Sequence, residues 1–206
     1  MNLAACAALR AHTSPENSVW YRYILLGHLS TALSSAHTKK RPSRFNPGPL
    51  LSPPDQFATL SLAENPLVAQ FEAGAMFGDA TPGGHAPNPK LTFVSLNITV
   101  VLHDILDLTD VNSAQIPLGA NAQELTGDWK GYYIRNHLTT VSDPYGVPSP
   151  TQELGMALFA TGVEGFRSIS AKVPFGKTLT VFTERFQRGS YLRFLDPATG
   201  IAHTIP

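Results

Sequence analysis

Thiol chemistry is nearly absent from this chain. Cys6 is its one cysteine, which excludes an internal disulfide and a thiolate zinc site and fits a reducing, cytoplasmic setting. Charge is scarce too: 15% of residues are charged, 15 basic against 15 acidic, so no global field recruits nucleic acid or an anionic membrane. Any anion must be bound locally. Long apolar runs are also missing. The best candidate, Leu91 to Leu108, is broken by Ser95, Asn97, Thr99 and His103, short of the roughly 20 apolar residues that a membrane span needs. The opening MNLAACAALRAH has no basic n-region, and Arg10 interrupts its apolar stretch, so residues 1–18 read as a frayed or helical extension and not a signal peptide. There is no GxGxxG, no Walker loop and no Ser, His and Asp arrangement in recognisable context. The 7 histidines are dispersed without HxH or HExxH spacing, so no metal is expected.

What is abundant is apolar: 43% of the 206 residues are hydrophobic, enough for one sizeable core. The 17 prolines and 16 glycines cluster at Pro42 to Pro54, Pro82 to Pro89 and Pro144 to Pro150, where they mark loops. GDATPGGHAPNPK reads as a long surface loop. Without repeats or heptads, residues 19–206 form one α+β domain in this reading.

Strand signals fall at Val19 to Leu26, Phe57 to Leu62, Leu91 to Leu106, Ser168 to Val173 and Thr178 to Phe182. The third is too long for an ordinary strand and predicts a bend or bulge. Asn65-Pro66 pairs an N-cap with a proline at the first helical position, predicting a helix to about Phe77. Ser149-Pro150-Thr151-Gln152 has capping-box spacing and opens a helix through about Phe159.

In the first of these helices Leu67, Val68, Phe71 and Ala75 share one side, and Glu72 lies at the border of that stripe. A carboxylate there is either an ordinary surface acid or a partly desolvated group that needs a partner. Arg22, in VWYRYI, is an arginine inside an aromatic strand, suited to an edge, an ion pair or a cleft. Arg44, in RPSRFNPG, sits beside Lys39, Lys40 and Arg41. It belongs either to a solvated basic turn or to an anion cradle, because guanidinium forks bind phosphate oxygens bidentately and Asn46 and Gly48 let backbone come close. His28 and His37 precede this block and could lie near a cleft.

Taken in order, Arg22, SRFNPG at Ser43 to Gly48, LSLAENPLVAQFEAGAMFG at Leu60 to Gly78 and SISAKVP at Ser168 to Pro174 resemble the RES family, named for arginine, glutamate and serine. LTGDWKGY at Leu125 to Tyr132 and PTQELG at Pro150 to Gly155 resemble its middle region, so the likeness runs from about Val19 to Phe194. The family's slots fall on Arg22, Arg44, Glu72 and Ser170. One departure stands out: Ser61 takes the place of the tyrosine usual in the family's LYLA block, removing an aromatic wall for which Phe57 or Tyr23 could substitute.

The resemblance implies a split, mostly antiparallel sheet flanked by helices, similar to ADP-ribosyltransferases. NAD would be the substrate, with no metal. Glu72 and Arg22 would be catalytic, and Arg22, Tyr23, Arg44, Asn46, Ser61 and Ser170 would bind the dinucleotide, Ser170 by hydrogen-bonding the nicotinamide ribose or amide. It also implies a toxin held inactive by an Xre-type DNA-binding antitoxin, with no direct contact to nucleic acid or membrane; a homo-oligomer is compatible with it. The residue types agree with the chemistry, because breaking the nicotinamide–ribose bond builds positive charge on the sugar and calls for a nearby anion. Hydrolysis or phosphorolysis of NAD leads. Protein ADP-ribosylation and a catalytically idle nucleotide-binding module are the alternatives, the last because of Ser61.

Overall fold

The longest strand pairing joins two segments far apart in sequence. β1 (Ser14–Leu25) runs antiparallel to β5 (Phe93–Asp107) from Leu25↔Phe93 to Ser14↔Ile105. Buried Trp20 and Ile24 on β1, and Leu96, Ile98, Val100 and Leu102 on β5, recur every second residue, as a one-sided strand requires. A computed structural model describes residues 1–127, 129, 133–134, 143–144, 147–196 and 199–206. Within LTGDWKGY, therefore, residues 128 and 130–132 lie outside the described residues, as do 145–146 of the Pro144 to Pro150 cluster.

The other elements are α1 (Cys6–Leu9), β2 (Thr59–Ala63), α2 (Pro66–Ala73), β3 (Met76–Gly78), β4 (His85–Pro87), α3 (Ile116–Leu118), α4 (Ala122–Leu125), β6 (Tyr133–Ile134), β7 (Asp143–Pro144), α5 (Pro150–Thr161), β8 (Gly165–Ile169), β9 (Lys177–Phe182), β10 (Tyr191–Leu195) and β11 (Ala202–Ile205). The main sheet has the order β1-β2-β9-β8-β5-β10-β11. Only β5 and β8 pair in parallel; its other pairings are antiparallel. Because β1 also pairs with β5, the expected split sheet curls back on itself like a barrel. The split survives at one seam, where β1 and β2 share the single pair Tyr21↔Ala63.

Three apolar clusters follow from this wrapping. The first fills the inside of the sheet, with Leu60, Leu62, Leu179 and Val181 facing the residues of β1 and β5. The second packs Leu154 and Leu158 of α5 against Phe45, Phe57, Phe166 and Phe182, each phenylalanine contributing about 1.5–3 kcal/mol by burial. The third sets Val68, Ala69 and Phe71 of α2 against Ala63. Cys6 and Leu9 belong to the second cluster, so the N-terminal turns are packed helix and not frayed, and burial pushes the Cys6 thiol up.

Several boundaries differ from expectation for local reasons. β1 starts at Ser14, inside the predicted extension, because polar residues 14–18 are held by β5. The helix predicted to run to Phe77 stops at Ala73, where Gly74 takes the left-handed conformation (φ 73°), and Met76–Gly78 pairs with β4 inside what read as a loop. β8 ends at Ile169, short of the predicted Val173, because the chain turns back and the Ser170 amide donates to the Gly176 carbonyl. β10 and β11 were not among the strand signals.

The predicted irregularity in β5 is a bulge. Between Leu102↔Glu16 and Ile105↔Ser14, His103 and Asp104 oppose Pro15 alone. Their amides donate to Glu164 Oε2 at 2.5 and 2.9 Å, and Gln187 N donates to Oε1 at 2.9 Å. This fully buried carboxylate therefore closes the bulge and anchors the chain after β9. Glu164→Ala removes the acceptor of three backbone amides and is expected to destabilise the fold by roughly 1–3 kcal/mol, read as a lower denaturant midpoint at unchanged m-value.

Candidate active site

Where β1 and β2 separate, a cavity of about 330 Å³ opens, a volume within the range of small-ligand sites. β1 gives it Tyr21, Arg22 and Tyr23, β2 gives Ser61, α2 gives Glu72, and the turn before β2 gives Arg44. Five of the seven residues singled out in the sequence thus line one space.

Arg22 occupies the position in β1 between Trp20 and Ile24 on the inward face, where alternation calls for an apolar side chain. Its Nη1 is sealed from solvent and has no hydrogen-bond partner among the described residues. Burial alone draws its pKa down to about 10, so it stays cationic at neutral pH. Arg167 shows the ordinary solution in the same molecule: its Nη2 lies 2.6 Å from Glu16 and its Nη1 3.3 Å from Asp107. Arg22 has no such carboxylate among the described residues, the arrangement expected if its counter-charge arrives with a ligand. Arg22→Leu should therefore stabilise the free protein by roughly 1–3 kcal/mol in thermal or denaturant melts and weaken binding of an anionic ligand, probed with inorganic pyrophosphate in titration calorimetry.

Arg44 is aimed by a tight turn in which Ser43 N donates to Asn46 O (2.8 Å) and Asn46 N to Ser43 O (3.3 Å). Phe45 anchors the turn edge-on against Phe166, centroids 4.9 Å apart. Asn46 was expected at the ligand. Instead it lies fully buried outside the cavity lining, its Nδ2 donating to Phe57 O (3.0 Å) and Thr59 Oγ1 (3.3 Å) and its Oδ1 accepting from Gly48 N (2.9 Å). From the other side, Gln152 Nε2 donates to Ser43 O at 2.9 Å, while its Oε1 completes the Ser149 capping box of α5. One turn along the helix, Gly155 admits the turn: a Cβ there would overlap the Phe45 carbonyl. Gly155→Ala is expected to displace Arg44, lowering ligand affinity at least tenfold and stability by about 1–3 kcal/mol, measured by titration and melting.

Glu72 owes its place to the short α2. Asn65 Oδ1 caps Val68 N at 3.0 Å, Pro66 opens the first turn, and the buried Val68, Ala69 and Phe71 fix the helix against the sheet. That seating leaves Glu72 half-buried at the cavity edge. Its Oε1 accepts a 2.6 Å hydrogen bond from Ser170 Oγ. The serine oxygen itself accepts from Lys172 N and Val173 N, both at 3.1 Å. A hydroxyl has one proton, so the two backbone donors commit it to the glutamate. Ser170, expected to touch the ligand, is buried and outside the cavity lining, reaching the site through Glu72.

Among the aromatic residues, Tyr23 lines the cavity and its hydroxyl accepts from Gln70 Nε2 at 2.7 Å. Phe57 does not: it is buried and stacked on Phe159, centroids 4.4 Å apart, so it cannot replace the aromatic absent at Ser61. Tyr21 and Trp129 also line the space, as do Lys172, Thr178 and Thr180. None of these was selected from sequence, although Lys172 stands inside SISAKVP and Trp129 inside LTGDWKGY. His37 lies near enough to the arginines that desolvation, then the charges of Arg22 and Arg41, push its imidazole below the usual value. Among the described residues no His, Cys, Asp and Glu group is placed to hold a metal, and no helix is long and apolar enough to cross a membrane.

An α+β fold with two arginines, a lysine and a serine-held glutamate around one opened strand seam is of the class suited to an anionic ligand reacting beside a carboxylate. The RES domain model matches residues 19–196, and the chain belongs to the RES domain family. A chain in the crystal structure of the M. tuberculosis MbcT–MbcA toxin–antitoxin complex is similar in fold, with a TM-score of 0.57 at 19% identity over 95% of this chain and 94% of that one. Comparison with curated proteins gives no match.

Proposed function

We propose that this protein is a NAD-consuming enzyme of toxin type that cleaves the nicotinamide–ribose bond by hydrolysis or phosphorolysis. The observation that carries this reading is the placement of Arg22, Arg44 and Glu72 on one cavity, with Glu72 held by Ser170 and no ion pair joining it to a cation among the described residues. The guanidinium groups would take the pyrophosphate, whose negative charge supplies what Arg22 lacks. This fixes the dinucleotide with its reacting ribose toward Glu72.

When the bond between the ribose carbon and the pyridinium nitrogen breaks, its electron pair goes to the ring nitrogen. Nicotinamide then leaves neutral and the positive charge passes to the sugar. A carboxylate beside that sugar stabilises the charge as it develops, as in glycoside hydrolysis. Water or inorganic phosphate then bonds to the same carbon, and a proton of the nucleophile passes to Glu72 or to solvent. Ser170 holds the carboxylate at the required angle before the reaction begins. The fold shared with a chain of a toxin–antitoxin complex is in keeping with a partner protein that controls the enzyme.

The test is release of nicotinamide from NAD by the purified protein, with and without phosphate. Turnover is expected in at least one condition, and Glu72→Gln should lower kcat by at least a hundredfold while NAD still binds. Binding without turnover in the unaltered protein would instead identify the idle module. Absence of both would end the NAD reading.

A further inference from the structure

Ser61 and Thr180 form a feature that neither the arginines nor Glu72 accounts for. They are direct partners in the antiparallel pairing of β2 with β9, so they share one face of the sheet, with Cβ atoms about 4.5–5.5 Å apart in such pairs. Both line the cavity. Thr180 is 3% exposed, and neither hydroxyl has a hydrogen-bond partner among the described residues. The next pair on the same face shows the usual arrangement, with Ser168 Oγ and Thr178 Oγ1 joined at 2.9 Å. Neither hydroxyl is spent on the other, so both open on the cavity, where a ligand or water supplies their hydrogen-bond partners.

The position of the pair restricts what it meets. Arg22 shares the inward face with Trp20, whereas Ser61 and Thr180 share the opposite face with Ala63, against which α2 and therefore Glu72 is seated. The pair is neutral, and its hydroxyls both donate and accept. Its complement is a neutral group of the same kind next to the reacting carbon, which a vicinal sugar diol provides. Resting on the NAD reading above, we infer that Ser61 and Thr180 are a substrate-positioning subsite for the diol of the ribose attached to nicotinamide. In this chain the sheet thus holds the sugar by hydrogen bonds where the family pattern has an aromatic ring.

Calorimetric titration of the full chain with NAD, ADP-ribose and nicotinamide tests the assignment, using Ser61→Ala, Thr180→Val and Thr180→Ser. Thr180→Val, which keeps shape and loses the hydroxyl, should weaken both NAD and ADP-ribose by about five- to tenfold, and Thr180→Ser should stay within about twofold of the parent. Ser61→Ala should act in the same direction. It carries the test by itself if Thr180→Val does not fold, because Ser61 is exposed on the cavity floor. Nicotinamide binding should not change. Loss of affinity for NAD but not for ADP-ribose would assign the pair to the carboxamide and overturn the diol. Unchanged affinity for both would leave the pair to solvent and overturn the subsite altogether. If the parent protein binds neither NAD nor ADP-ribose, the NAD reading itself fails, a result visible before any variant is made.

Discussion

The site depends on how unequally β1 is held by its two neighbours. Along one edge it is paired with β5 from Ser14 to Leu25, and along the other its strand pairing with β2 is confined to Tyr21↔Ala63. The first edge makes the strand stiff; the second leaves a seam. A cationic side chain on a fully paired inner strand would face only hydrocarbon, at a cost of several kcal/mol. At the seam Arg22 borders a cavity and still inherits the rigidity of the β1–β5 ladder. The bulge at His103 and Asp104 belongs to the same device, because Glu164 satisfies the amides that the bulge frees and so ties β5, β8 and the chain after β9 together.

Around that seam, positioning is delegated to groups that never reach the cavity. Asn46 spends its amide on Phe57, Thr59 and Gly48; Gln152 holds Ser43; Gly155 makes room for Phe45; Ser170 holds Glu72. The charged side chains that line the cavity are held by groups that lie outside it. This division explains how a loop as rich in proline and charge as Pro42 to Pro54 can present an arginine to the cavity: α5 and Phe166 supply the rigidity that the loop lacks.

Sequence made the fold legible where periodicity and capping are local. The cap and proline at Asn65-Pro66, the capping box at Ser149, the strand Thr178 to Phe182 and the irregular Leu91 to Leu106 all correspond to observed features. The start of β1 at Ser14 was illegible because residues 14–18 are polar and become strand only through β5, more than 80 residues away. Closure of the sheet through β1 and β5 is likewise a long-range register, invisible to local pattern. At the site, Arg22, Arg44 and Glu72 were each ambiguous by themselves and gained meaning from their order. Asn46 and Ser170 were read as ligand contacts because a motif marks residues that matter without saying whether they touch the ligand or brace what does. Thr180 was hidden because TLTVF is equally good as plain strand, and only the pairing Ser61↔Thr180 sets its hydroxyl in the cavity.

The absence of an ion pair between Arg22 and Glu72 is as informative as their shared cavity. Two opposite charges on one small cavity gain Coulomb energy by closing into a salt bridge, and the fold forgoes it. Ser170 occupies one oxygen of the glutamate with a neutral donor, and alternation along β1 puts Arg22 on the inward face with Trp20 and Ile24, opposite the face against which α2 is seated. A neutralised pair would need to be pulled apart before an anionic ligand met the arginine or a cationic centre met the carboxylate. Kept apart, both charges suit a ligand that is negative at one end and becomes positive at the other, which under the proposed function is a dinucleotide losing nicotinamide.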